Sequence, residues 1–261
     1  MESHQVRILS NEKVSERYWH MIVDASDIKE NVEPGQFFHF LCSNSIYPFL
    51  RRPFSVYRID SDRNTLEFLY LVKGLGTKKM TELKAGEKID IFGPLGTGFH
   101  LKESDSNILL LARGVGIATL AALAYKAVGK NKKVIAILSA RCRNDLLAAD
   151  YLTSFGVQVY KVTDEEGTSD LHNVKELINQ LLIENDIHAL YTCGSKRLAR
   201  LMQSIGKREG LWGEIALEEN MGCAMGVCFA CLCHIHDGHE AKSARVCVDG
   251  PVFPLEQVIL Q

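Results

Sequence analysis

Four of the chain's eight cysteines are spaced as if to hold iron. Cys223, Cys228 and Cys231 form the pattern C-x4-C-x2-C, and Cys247 follows after fifteen intervening residues. This is the plant-type spacing of a 2Fe–2S cluster, in which a tight loop supplies three thiolates and a neighbouring segment returns the fourth. Gly222, Ala224, Gly226 and Ala230 lie between the candidate ligands. Small residues let the backbone close round a cluster and aim N–H groups at sulfur. Such a centre, at roughly −400 mV for this cluster type, carries single electrons and binds no substrate. The residues therefore point to a protein through which electrons pass.

A structural zinc site is the rival reading. Cys228, Cys231 and Cys247 with His234, His236 or His239 would suit it, but Cys223 would be idle and the small residues would lack a reason. Cys233 is expected to pack from a strand. The histidines are expected to be solvated in a hairpin-like segment around His236-Asp237-Gly238-His239. Cys42, Cys142 and Cys193 are scattered and read as buried free thiols. Cysteines used this way, behind the polar start Met1-Glu2-Ser3-His4-Gln5, favour a reducing cytoplasm over a disulfide framework. A net charge of −2 gives no reason to expect nucleic acid, and no apolar run has the length of a membrane span.

Two further constellations stand upstream. Arg51-Arg52-Pro53-Phe54-Ser55 begins a strand, where an Arg beside a Ser can pair with a phosphate and hydrogen-bond a flavin ring edge. Gly74-Leu75-Gly76-Thr77 precedes a helical patch, where backbone N–H groups attract phosphate. Read alone, each is as well a surface Arg pair or an ordinary turn; together, ahead of a nucleotide-type sheet, they gain weight. Gly114-x-Gly116 after the run Ile108–Leu111 is a nucleotide signal of the same general kind.

The elements that must position these residues fall into three blocks, since 261 residues exceed one core. Residues 1–101 carry short strands at even spacing with turns such as Pro34-Gly35 and Asp60–Asn64, which predicts an antiparallel β-barrel with one helical patch over Thr77–Leu83. Residues 102–217 alternate strand and helix, with helices expected over Ala118–Val128, Asn144–Thr153, Ser169–Glu184 and Lys196–Lys207; this predicts a doubly wound parallel α/β lobe. Residues 218–261 form the cysteine module.

At this point the chain resembles a known family. Arg52-Pro53-Phe54-Ser55 looks like the flavin-binding R-x-[YF]-[ST] signature of the ferredoxin-reductase superfamily, and Gly76-Thr77 like its FAD pyrophosphate loop. Pro34-Gly35-Gln36-Phe37 and Gly93-Pro94-Leu95-Gly96 match further barrel landmarks. The cysteine module followed by Cys247-Val248-Asp249-Gly250-Pro251-Val252-Phe253 is similar to that of the electron-transfer subunits of class 1B dihydroorotate dehydrogenase. The resemblance implies FAD at Arg52, Pro53, Phe54, Ser55, Leu69, Tyr70, Leu71, Gly76 and Thr77, and cluster ligation by Cys223, Cys228, Cys231 and Cys247. For NAD(H) it implies Gly114, Gly116, Cys193 and Gly194. It implies a partner, an FMN-containing dehydrogenase subunit, in a heterotetramer.

One departure stands out. The family shows three glycines after the first lobe strand, then x-G-x-x-P; here the run is Ala112-Arg113-Gly114-Val115-Gly116-Ile117-Ala118-Thr119. Arg113 brings a bulky side chain to the turn, where it could pair with a pyrophosphate or occupy the nicotinamide path. The resulting expectation is a relay from NAD(H) through FAD and the cluster to a partner flavoprotein. Its rivals are a paralogue with impaired NAD(H) binding that serves another dehydrogenase, a stand-alone NADH-dependent reductase, and a zinc-stabilised assembly module.

Overall fold

The computed structural model describes residues 2–43, 45–238 and 240–260. Its first sheet has seven antiparallel strands in the order β4-β3-β7-β1-β2-β6-β5. These are β1 (Glu2–Lys13), β2 (Tyr18–Asp24), β3 (Phe37–Phe40), β4 (Arg52–Ser55), β5 (Arg58–Asp60), β6 (Thr65–Leu71) and β7 (Lys88–Leu95). Period-two alternation sets the inner face: His4, Val6 and Ile8 of β1 are buried while their neighbours are exposed. Phe38, Phe40 and Phe68 fill the interior edge-to-face, with centroids 5.8 Å and 4.8 Å apart. The one helix here, α1 (Leu75–Met80), is shorter than the expected patch; after it the chain descends by turns to Leu83, and Met80 is buried against the barrel.

The second sheet runs β10-β9-β8-β11-β12-β15. Its strands β8 (Asn107–Arg113), β9 (Lys133–Ala140), β10 (Gln158–Thr163), β11 (Ala189–Cys193) and β12 (Trp212–Ala216) are parallel. The connecting helices are α2 (Ile117–Gly129), α3 (Ala149–Ser154), α4 (Leu171–Glu184) and α5 (Lys196–Glu209). α2 and α3 pack one face with Leu110, Leu120 and Leu152, while α4 and α5 pack the other with Leu109, Ile178 and Met202. Asp170 caps α4 by accepting from the N–H groups of His172 and Asn173, Ser195 caps α5, and Gly210 ends α5 in the left-handed conformation at φ +67°.

The single helix expected over Asn144–Thr153 is two pieces. A 3₁₀ turn, Arg143–Asp145, precedes Ala148 in the left-handed conformation at φ +64°, and α3 starts only after it. The break turns Leu147 into the core. Of the thiols expected to be buried, Cys42 and Cys193 are, whereas Cys142 is half-exposed at the end of β9.

The chain leaves β12 for the cysteine loop, forms the hairpin β13 (Leu232–Asp237) and β14 (Glu240–Arg245), and returns as β15 (Val252–Pro254). β15 adds antiparallel to the edge of the lobe sheet through Ile215↔Phe253. Thr97 bridges to Pro251, tying the barrel's exit to the same segment. One core is thus shared: Phe37 and Leu95 of the barrel, Ile215 of the lobe, and Cys231, Val246 and Cys247 of the last segment are buried together. Among the described residues no helix is long and apolar enough to cross a membrane.

Candidate functional site

The cysteine loop is coiled by three residues in left-handed backbone, Ala224 (φ +54°), Gly226 (φ +78°) and Phe229 (φ +58°). Two of these are not glycine, a conformation that persists only where surroundings enforce it. The coil turns N–H groups inward: those of Met225, Val227 and Cys228 each donate to Cys223 Sγ at 3.4 Å, and Cys223 N–H donates to Cys228 Sγ at 3.4 Å. Burial alone would raise the Cys223 thiol, but those N–H groups outweigh it and bring it down to about 6. The Cys247 thiol lies beside that of Cys231. Burial and the neighbouring Cys231 thiol push Cys247 up to about 12.

The four predicted ligands therefore come together as two pairs, Cys223 with Cys228 and Cys231 with Cys247. Among the described residues no group of three or more His, Cys, Asp or Glu side chains is already placed to hold a metal ion. His234 stands on β13 beside Ser243 Oγ, His236 is exposed further along that strand, and His239 lies outside the described residues. Cys233 is buried opposite Ala244, and burial pushes its thiol up to about 11. The site also fits a cluster by its packing. A Cβ on Gly222 would stand 3.2 Å from Cys228 Sγ, and one on Gly226 would meet Val248 at 3.0 Å and Arg245 at 3.1 Å. Arg245 ties the loop down: Nη1 donates to Gly226 O at 3.2 Å, while Nε and Nη2 hold Asp249 at 3.0 Å and 3.1 Å.

Beside the loop opens a cavity of about 590 Å³, a size ordinary for cofactor sites. Arg52, Pro53, Phe54, Ser55, Leu69, Tyr70, Leu71 and Thr77 line it. Gly76 is buried behind the lining, where a Cβ would stand 3.3 Å from Cys42 Sγ and 3.5 Å from Arg52 Nε. The Arg pair is split: Arg51 is paired with Asp90 at 2.6 Å, leaving Arg52 at the cavity. Thr77 Oγ1 accepts from the N–H groups of Lys73 and Gly74 at 2.9 Å and 3.1 Å, which closes the turn at the cavity's edge. An apolar floor with an Arg and hydroxyls at the rim fits a flavin nucleotide. The opposite wall is Val115 and Ala118 of the lobe with Leu217–Met221 and Pro251. None of these was expected from the sequence, because they reach the cavity only through tertiary packing.

The nicotinamide-side candidates gather where the strand order reverses, between β8 and β11. There the two turns nearly touch. A Cβ on Gly194 (φ +96°) would stand 2.2 Å from Arg113 O, and one on Gly116 would stand 2.7 Å from Cys193 O. Gly114 (φ +55°) faces Tyr18 Oη, where a Cβ would be 3.1 Å away. Cys193 is buried, which raises its thiol well above the ordinary range, and with Gly194 it lines a small cavity of about 110 Å³. Leu217, Glu218 and Glu219 line both cavities and so separate them.

Arg113 is anchored within the lobe. Its side chain runs sideways along the ends of the neighbouring strands. Nη1 donates to Ser139 Oγ at 2.7 Å, and Nη2 to Asp164 Oδ2 at 2.6 Å.

The comparisons agree with this geometry. The profile of the iron–sulfur cluster binding domain of dihydroorotate dehydrogenase B matches residues 218–259. The electron transfer subunits of dihydroorotate dehydrogenase B (NAD(+)) from Bacillus cereus (strain B4264) and Bacillus mycoides (strain KBAB4) are each 34% identical over 100% of both chains. A solved NADH-dependent reduced ferredoxin-NADP oxidoreductase shares the fold at a TM-score of 0.84 and 22% identity, covering 98% of this chain and 90% of that one. By its cysteine loop, its three-part fold and its likeness over the full length of those relatives, the chain belongs to the family of dihydroorotate dehydrogenase B electron transfer subunits.

Proposed function

We propose that the chain relays electrons between NAD(H), FAD and a 2Fe–2S cluster, to or from a partner dehydrogenase subunit. One observation carries this reading: Met221, two residues before Cys223, and Pro251, four after Cys247, form part of the wall of the flavin-sized cavity. The two centres would share a partition a few residues thick. Bound there, FAD supplies two-electron exchange with a nicotinamide and one-electron exchange with the cluster.

The chain's own residues do the rest. Arg52, Ser55 and Thr77 orient the flavin from the barrel side, with Pro53, Phe54, Leu69, Tyr70 and Leu71 shielding it from water. Gly76 keeps the turn close. Gly114, Gly116, Cys193 and Gly194 would meet the nicotinamide. Cys223, Cys228, Cys231 and Cys247 bind the irons, and the N–H groups on Cys223 tune them. The segments 1–101, 102–217 and 218–261 would serve as flavin, nicotinamide and cluster units. Substrate chemistry then belongs to the partner, which we take to carry FMN in a cytoplasmic heterotetramer. Met225, Val227 and Phe229 are exposed beside Cys228, an apolar rim consistent with such docking.

Anaerobic titration with NADH tests the relay. Absorbance should bleach at flavin and cluster wavelengths together. Bleaching by dithionite with no response to NADH would remove the nicotinamide arm, and a preparation without iron and sulfide would remove the cluster.

A further inference from the structure

Arg113 stands where the family pattern has glycine, and its surroundings give it more than a packing role. It is the last residue of β8, directly before the turn into α2, at the carboxyl edge of the sheet. In doubly wound folds the phosphates of a dinucleotide lie on this edge, over the turn after the first strand. The guanidinium is held across two strand ends and a helix start: by Ser139 near the end of β9 at 2.7 Å, by Asp164 just past β10 at 2.6 Å, and by Ser169 before α4 at 3.5 Å. Its Nε–H has no partner among the described residues, and the side chain is 21% exposed. A planar fork fixed on one edge and free on the other is suited to phosphate oxygens.

We propose that Arg113 recognises the pyrophosphate of the dinucleotide, and that Asp164 competes with it for the guanidinium. The assignment rests on the NAD(H) reading above. Asp164 can give up part of its hold, because its other oxygen accepts from Ser169 Oγ and Arg197 stands close by. The opposing charge matters as well. Asp164, Glu165 and Glu166 are exposed on the turn after β10, and Arg143 is occupied by Glu166. Without Arg113 the carboxylates of this turn would work against an anion.

The test is calorimetric binding of ADP-ribose, which carries the pyrophosphate without the nicotinamide, to the holoprotein. Absorbance bleachable by dithionite confirms that each variant keeps both centres. Arg113→Ala should weaken ADP-ribose by about tenfold, the loss of one charge-assisted hydrogen bond. Arg113→Lys should restore part of it, Asp164→Asn should tighten binding, and that gain should shrink once Arg113 is gone. The salt dependence of binding should flatten in Arg113→Ala. Unchanged or tighter ADP-ribose binding by both Arg113 variants overturns the proposal and makes the guanidinium an obstruction or a brace. A wild-type protein that binds neither ADP-ribose nor NAD+ overturns it together with the NAD(H) reading.

Discussion

At the scale of single residues, the cluster site divides its work between ligands and restraints. Cys228 is exposed and Cys231 is buried, yet each completes one sulfur pair, so neither can be spared. Cys228→Ser should lose most of the iron and sulfide, as read by chemical assay and by loss of cluster absorbance, with flavin retained. Arg245 binds no metal, but through Gly226 O and Asp249 it closes the loop over the cluster. Arg245→Ala should weaken iron retention by about 10–100-fold, the usual cost of losing a supporting contact, measured as the rate of iron loss to a chelator. Sequence spacing picked out the four cysteines as candidate ligands, because four thiolates at such intervals have few other uses. It had no means of locating Arg245 or the true direction of Arg113, whose partners Ser139 and Asp164 are distant in the chain.

At the scale of elements, the decisive feature is the contact between the turn after β8 and the turn after β11. Gly194 is in left-handed backbone with its missing Cβ pointed at Arg113 O. Gly194→Ala should therefore cost about 2–4 kcal/mol, combining backbone strain with overpacking. It would be read as a lower urea midpoint and as weaker NADH reduction of the flavin. α4 and α5 were legible to within a residue or two, because capping side chains and apolar periodicity agree there. α3 was not: Leu146 and Leu147 continue a helical pattern, but packing of Leu147 pulls the backbone out of it at Ala148.

At the scale of the whole molecule, the three segments share contacts that make them one electron path. Phe37, from the barrel, is buried with Ala224, Cys231 and Cys247. Phe37→Ala should cost about 3–5 kcal/mol, and the loss should appear in thermal unfolding followed by cluster absorbance as well as by flavin release. Glu33 of the barrel pairs with Lys126 of α2. The Lys126 hydrogen bond holds the Glu33 carboxyl below its ordinary 4.5 despite some burial. The stability it contributes is complete above that value and is lost as pH falls through the lower folded value. Glu33→Gln should flatten the acid limb of stability against pH, with little change in slope above pH 5.

The sequence by itself determined the cluster chemistry, the barrel-then-lobe order and most of the barrel-side residues that line the large cavity. These depend on local spacing, turn residues and periodicity, all short-range properties of the chain. Only the tertiary structure decided that the sulfurs divide two and two, that β15 returns to the lobe sheet, that Leu217–Met221 wall the flavin cavity, and that Arg113 lies on Asp164. Each of those follows from packing between segments tens of residues apart, where the winning contact is set by which surfaces can be buried together.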